Sequence, residues 1–453
     1  MSDNHTTPWE AQFVRDLRRF VVPESYDDKP PKNKQIAHEV SELVSEAGTL
    51  TPIADTDEIW VYDSETGLWT NKGEQRIRML VNDAVGSLMT PGLMRNIRLK
   101  LQALPPTDRD DLVVPDGTVP VENGLLDMKS RELQPLSPEA KATWKLPVVY
   151  DPDADCPRFK QFIDEIFIEK NRPSIQEYLG YSFTPSTRHE KALLLLGPTN
   201  TGKSVFLDVV RSLFGRGNTA SVAPEEITNT RWGTADLRDK QVNVRHDLDA
   251  EKLERPGKLK EVISGNPVRA EQKYQPSFSF TPRVKHFFAG NDAPQCTDSS
   301  DAFWNRWITV ITPVSVPEDE RDLELVDKLT TPEELSGILN YALEGYERLR
   351  DQGRFTNAPT PTENRHLWFS YGSSVTRFLA SSVDITKDHR DYEFVDELYA
   401  RYETYVEEHD LPKYSKEQFG REMNKQPDIR GGRRSRKHKK SKGRVYLGVE
   451  YTG

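Results

Sequence analysis

The sequence predicts an α/β protein built around a nucleotide-phosphate loop, and three observations carry that reading. Leu193-Leu194-Leu195-Leu196 is a short buried-strand pattern, Gly197-Pro198-Thr199-Asn200-Thr201-Gly202-Lys203-Ser204 is a glycine-rich turn, and Val205-Phe206-Leu207-Asp208-Val209-Val210 resumes as a helix. Strands and helices then alternate to about residue 311, which implies a three-layer α/β domain with a P-loop at its centre.

The loop chemistry follows from residue type. Gly197 and Gly202 let the backbone curl so that successive N–H groups point at one anion. Lys203 supplies a point charge to β- and γ-phosphates, and the Ser204 hydroxyl is placed to ligate Mg²⁺. The helix that starts there directs its positive end at the same phosphates. A nucleoside triphosphate and Mg²⁺ are therefore the expected cofactors.

At 453 residues the chain has room for two or three domains. No apolar run approaches the roughly 18 residues needed to span a bilayer, and MSDNHTTPWE lacks the basic and apolar regions of a secretory signal. Two cysteines, Cys156 and Cys296, exclude a disulfide scaffold and offer no zinc spacing, so a reducing cytoplasm is expected. A net charge of −10 argues against nucleic acid until its distribution is considered. Residues 430–444 read RGGRRSRKHKKSKGR, and Arg433, Arg434, Arg436, Lys437, Lys439, Lys440 and Lys442 form a basic block suited to DNA.

Taken in order, Trp9, Phe13, Leu17 and Phe20 recur at helical spacing, and a second helix is expected around Ile36 to Ala47. Ile59 to Thr70 reads as a hairpin, Glu74 to Leu104 as helix interrupted at Pro91, and Val119 to Leu136 as strand and turn. DPDADCPRF marks a boundary, so residues 1–150 are expected to form an accessory domain. Residues 151–315 hold the ATPase domain: helices at Phe159 to Phe167 and Ile175 to Tyr181, strands at Gln241 to Asp249, Val268 to Lys273, Ser277 to Phe280, Arg283 to Gly290 and Phe303 to Ile311, and a helix at Leu253 to Ile263. Residues 316–370 read as a helical connector. Residues 371–453, with helices at Phe378 to Val383, Val395 to Val406 and Ser415 to Asn424 before two strands joined by the basic block, fit a winged helix.

Further candidates surround the loop. A hydrolytic site needs a carboxylate at the end of a neighbouring strand; Asp247 is the choice for the metal side and Asp249 for an assisting base, their order left open, with capping of the next helix as the alternative. Asn291 ends an apolar strand, where its amide suits a γ-phosphate or attacking water, or simply a turn. Arg306, between aromatic residues in SSDAFWNRWITV, suits transition-state charge on a neighbouring subunit's phosphate; a surface salt bridge is the simpler local fate. Lys273 and Tyr274, at the tip of AEQKYQPSF, offer a cation and a ring to one DNA strand, or form an exposed turn.

In order, GPTNTGKS, the strand with Asp247, LKEVISGNPVRAEQKYQPSFSFTPRVKHFFAGN and DAFWNRW resemble the superfamily 3 helicases, in particular the helicase part of phage, plasmid and large DNA virus primase-helicases. VENGLLDMKSRELQPLSPEAKATWKLPVVYDPDADCPRF resembles the segment preceding that motor, and the likeness spans about residues 60 to 450. The resemblance implies an AAA+-like ATPase that assembles as a homo-hexameric ring around single-stranded DNA, with a separate primase as a possible partner. It implies Walker A roles for Lys203 and Ser204, a Walker B role for Asp247, a sensor role for Asn291, a trans-acting finger at Arg306 and a DNA-gripping hairpin at Lys273. Arg245 and His246 depart from the apolar run usual before the Walker B acid, and aspartates stand where glutamate is common. With no catalytic carboxylate triad upstream, primer synthesis is not expected. The competing functions are a DNA-binding initiator that uses ATP only to assemble, and a P-loop kinase or nucleotidase.

Overall fold

The structure is a computed structural model that describes the chain except residues 1–6, 23–28, 249–251, 274–276, 297, 299, 387, 410, 412, 427, 436–441 and 453, and the side chains of 425 and 442. It divides into two compact units, Met1–Tyr150 and Asp151–Gly453. No described helix is long and apolar enough to cross a membrane.

In the first unit, helices Pro8–Val21, Asn33–Ala47, Gly73–Val85 and Pro91–Gln102 enclose a core that includes Phe13, Leu17, Ile36, Val40, Ile77, Val81, Leu93 and Ile97. The first helix buries Val21 and leaves Phe20 39% exposed, contrary to the expected stripe, because Phe13, Leu17 and Val21 keep the i, i+4 spacing of one face. Buried Glu10 ties that helix to the third through Arg76, whose Nη2 donates to Oε2 at 2.6 Å. Pro91 starts a helix rather than interrupting one, since its missing N–H costs nothing at the first position. Two small antiparallel sheets complete the unit: Leu50–Pro52, Ile59–Asp63 and Leu68–Thr70; and Thr118–Val121, Gly124–Asp127 and Leu133–Gln134.

The second unit is organised by a five-stranded sheet whose strands are labelled β1 (Ala192–Leu196), β2 (Thr219–Ala220), β3 (Val242–Arg245), β4 (Lys285–Gly290) and β5 (Trp307–Ile311). Their order is β5-β1-β4-β3-β2, every neighbouring pair parallel. All five residues of β1 are fully buried, as a central parallel strand requires. Side chains alternate across β4: Phe287 meets Tyr178 of helix Arg172–Tyr181, whereas Phe288 joins the cluster holding Leu259, Val262 and Trp368. Both faces of the sheet are thus covered. Helix α1 (Lys203–Phe214) packs on β3 and β4.

Several expected strands are shorter. Gln241 to Asp249 is strand only over β3, because Asp247 takes a left-handed backbone, φ 46°. Phe303 to Ile311 is a short helix, Asp301–Trp304, followed by β5. Val268–Ala270 and Phe278–Phe280 form the expected antiparallel hairpin in a shorter form than Val268 to Lys273. Beyond Pro317 lie helices Leu325–Leu329, Pro332–Gln352 and Pro361–Ser370. Helices Ser374–Ser382, Val395–Glu408 and Lys416–Lys425 then pack around Phe378, Leu398, Tyr402 and Phe419. Val383 opens a strand instead of ending its helix, pairing with Tyr451. Strands Arg430–Ser435 and Lys442–Leu447 pair antiparallel, with Tyr392–Phe394 on the outer side of the latter.

Candidate nucleotide site and nucleic-acid surfaces

The strand register places three candidate segments at one end of the sheet. Leu196 pairs with Gly290 and Phe288 pairs with Arg245, so Gly197, Asn291 and Asp247 all leave their strands at the carboxyl edge. In an open parallel sheet this edge is where ligands bind, because adjacent strands release their loops there.

Between β1 and α1 the loop is fixed by close contacts. A Cβ on Gly197 would lie 2.2 Å from the Thr312 carbonyl oxygen, and one on Gly202, φ 84°, would lie 2.7 Å from Ile166 Cγ2. Glycine is required at both turns on these grounds. Residues after β5 brace the loop from outside: Val316 N–H donates to Asn200 O at 2.8 Å, Ser315 Oγ donates to Thr199 O at 2.8 Å, and the Thr201 and Thr312 hydroxyls lie 2.8 Å apart. Thr312 and Ser315 were not legible as part of the site, since nothing in the sequence places the exit of the fifth strand beside the exit of the first.

Lys203 opens α1 and is 6% exposed. Its ammonium donates to Gly197 O at 2.8 Å, Pro198 O at 2.6 Å, Thr201 Oγ1 at 3.2 Å and Asn291 Oδ1 at 3.3 Å. Burial lowers its pKa, and the Asp247 carboxylate opposes that shift. Lys203, Asn291 and Asp247 therefore share one electrostatic site. Pro198, Thr199, Asn200, Ser204, Asp247 and Asn291 are exposed at its mouth.

The two residues that depart from an apolar strand end are both paired. Arg245 Nη2 lies 3.7 Å from Glu226 Oε1, and His246 Nε2 lies 3.5 Å from Asp208 Oδ1. Asp208 is one helical turn beyond Ser204, a spacing that could have flagged it beforehand. Burial also lowers the His246 pKa, partly offset by Asp208.

Arg306 lies at the opposite end of the sheet. It precedes β5 and its carbonyl accepts from Ala192 N–H at the start of β1. Five residues of strand at about 3.3 Å each separate it from the loop, farther than an arginine side chain reaches. Its guanidinium is held by Glu190 Oε2 at 3.0 Å, by Ser264 Oγ at 2.8 Å and by the Ala302 carbonyl.

Among the DNA candidates, Lys273 is exposed between the two hairpin strands. Arg433 is exposed and stands opposite exposed Arg444 across the strand pair, while Arg434 lies over the Tyr392 ring at 5.7 Å. Asp249, Tyr274, Arg436, Lys437, Lys439 and Lys440 lie outside the described residues, as does the Lys442 side chain.

Residues 50–168 match the model of a family described as D5 N terminal like, and residues 195–306 match a family of unknown function, DUF5906. The DUF5906 match runs from the end of β1 through Arg306, so it takes in Gly197 to Ser204, Asp247 and Asn291 but not the bracing residues Thr312, Ser315 and Val316. Among solved structures, "The A form apo structure of NrS-1 C terminal region-CTR" is similar at 10% identity and a TM-score of 0.48, covering 90% of this chain and 98% of that one. "The apo structure of NrS-1 C terminal region (305-718)" is similar at 10% identity and a TM-score of 0.45, covering 93% and 100%.

The residues present suit magnesium and a nucleoside triphosphate. Ser204 and Asp247 are hard oxygen donors at one edge, and no described group of three His, Cys, Asp or Glu residues forms a self-sufficient metal cage. Mg²⁺ is a cation that accepts one or two protein oxygens and completes its shell from phosphates and water.

Proposed function

We propose that this chain is an ATP-driven DNA helicase of the superfamily 3 type, with an AAA+-like three-layer motor, a C-terminal winged helix and subunits arranged as a hexameric ring on single-stranded DNA. The observation that carries the reading is Lys203, buried in the glycine-rich loop and bonded to Asn291, with Asp247 near enough to act on its charge. A lysine, an amide and a carboxylate converging at the carboxyl edge of a parallel sheet supply what phosphoryl transfer to water needs: charge neutralisation, a polar positioning group and a metal-side acid.

Bound magnesium ATP supplies the phosphoryl group. Lys203 exchanges the Gly197 and Pro198 carbonyls for phosphate oxygens, a stronger partner for an ammonium. Ser204 and Asp247 would hold the Mg²⁺, and Asn291 would orient phosphate or water through an amide that both donates and accepts. Arg306 acts on the site of a neighbouring subunit, because its own lies at the far end of β1. Lys273 grips the translocating strand, and the Arg433–Arg444 strand pair contacts a duplex backbone.

The decisive experiment measures ATP turnover and strand displacement together on forked DNA. Turnover stimulated by single-stranded DNA and coupled to displacement is the expected result. Assembly with ATP but without displacement identifies an initiator, and turnover indifferent to DNA identifies a small-substrate kinase or nucleotidase.

A further inference from the structure

The first unit carries a groove that the motor chemistry does not use. It lies between helices Gly73–Val85 and Pro91–Gln102, has a volume of about 550 Å³, and is lined by Arg78, Arg95 and Arg98 around an apolar floor of Met89, Pro91 and Met94. Glu74 is its only acidic lining residue, and it is shared: Arg78 Nη2 lies 3.3 Å and Arg98 Nε 3.7 Å from its carboxylate oxygens. Arg95 has no ion-pair partner among the described residues. Three guanidiniums against one carboxylate leave an uncompensated positive field in a chain whose net charge is −10.

The two helices that form the groove also carry exposed apolar side chains. Leu99, one helical turn beyond Arg95, is 61% exposed, and Met79, next to Arg78, is 48% exposed. Apolar groups adjoining a basic rim suit a ligand with both an apolar and an acidic face. Methionines supply an adaptable floor for such a surface. The groove lining contains no aromatic ring to stack a base, and its floor of Met89, Pro91 and Met94 is apolar. These features favour a protein segment over nucleic acid.

We propose that this groove docks an acidic amphipathic helix of a partner protein, seated with its apolar face on Met89, Met94 and Leu99 and its carboxylates on Arg78, Arg95 and Arg98. The inference is independent of the motor's activity.

The test uses the full-length chain and fluorescence anisotropy. The probe is a labelled synthetic peptide of about 18 residues, long enough for five helical turns, made of Glu and Leu with Leu at i, i+3, i+4 and i+7. The control has the same composition with the leucines scattered. Binding of the ordered peptide at least tenfold tighter than the control, weakened by salt and at least tenfold by Arg95→Glu or by Leu99→Ala, is expected. Equal binding of the two peptides, or unchanged binding by Arg95→Glu with its circular dichroism intact, overturns the proposal. Loss of oligothymidine binding in Arg95→Glu without loss of peptide binding overturns it in favour of nucleic acid. A changed sedimentation coefficient in Leu99→Asp, with no peptide bound by the wild type, overturns it in favour of a second copy of the chain.

Discussion

Lys203 Nζ lies 3.3 Å from Asn291 Oδ1, joining the first residue of the loop helix to the residue that follows β4. The same ammonium donates to the Gly197 and Pro198 carbonyls, so the amide oxygen and the loop share one cation. Lys203→Ala is expected to abolish ATP turnover. Asn291→Ala is expected to retain nucleotide binding while turnover falls by about 10²- to 10³-fold, the cost of losing one positioned polar group. Equilibrium binding of a fluorescent ATP analogue, paired with phosphate release, checks both; an Asn291→Ala rate equal to wild type removes that residue from the chemistry.

Arg306 is predicted to act only across a subunit boundary, since its own loop lies the length of β1 away and Glu190 and Ser264 hold it in place. Arg306→Ala should bind nucleotide and lose about 10³-fold in turnover. Mixing supplies the sharper measurement. In rings formed from Lys203→Ala and Arg306→Ala subunits, some interfaces join an intact lysine to an intact arginine. Activity should therefore reappear on mixing two inactive preparations; continued inactivity in verified mixed rings removes the trans assignment.

What was legible in the sequence followed from local chemistry. The Gly197 to Ser204 loop required glycine at turns that prove too tight for a Cβ, and the leucine run before it proved to be a fully buried parallel strand. The candidate carboxylate and amide, Asp247 and Asn291, were readable as strand ends and converge at the same edge. The exact extent of strands was not legible. Phe303 and Trp304 look like strand residues by composition, yet they are placed on a helical turn where they pack with Trp368, a contact over sixty positions away. The brace from Thr312 to Val316 and the place of His246 were hidden for the same reason, because strand order, and not sequence proximity, brings them to the loop and to Asp208.

Lys285 provides a test of the fold that is independent of the nucleotide. Its ammonium is buried at the start of β4, donating to Thr184 O and Arg283 O at 2.9 Å each and lying 4.8 Å from the Tyr181 ring centre. Burial, with a smaller contribution from the Arg283 charge, pushes its pKa down to about 7. The folded value lies below the unfolded one, so between about 7 and 10.5 the unfolded chain carries a proton that the folded chain lacks. Stability contributed by this group therefore rises with pH across that window, and the burial penalty is fully present below it. Relative to Lys285→Met, the wild type should gain about 1.4 kcal/mol per pH unit there. Paired urea unfolding of the two proteins at several pH values reads the difference directly, and a difference independent of pH sinks the assignment.

The Arg433–Arg444 pair links the C-terminal sheet to its proposed ligand. The two residues are in register on adjacent antiparallel strands, where like charges directly opposite one another repel. A bound phosphate backbone relieves that repulsion. The double variant Arg433→Gln/Arg444→Gln is therefore expected to lose DNA affinity while its folded stability stays level or rises by a few tenths of a kcal/mol. Removing two phosphate contacts should also lower the slope of log affinity against log salt by about 2. ATP turnover measured without DNA should not change, because the nucleotide loop and this strand pair share no residue. Duplex binding followed by anisotropy across a salt series is the appropriate measurement, with thermal unfolding alongside. A variant that unfolds more readily assigns the arginines a structural role; unchanged affinity and slope remove the strand pair from the DNA surface.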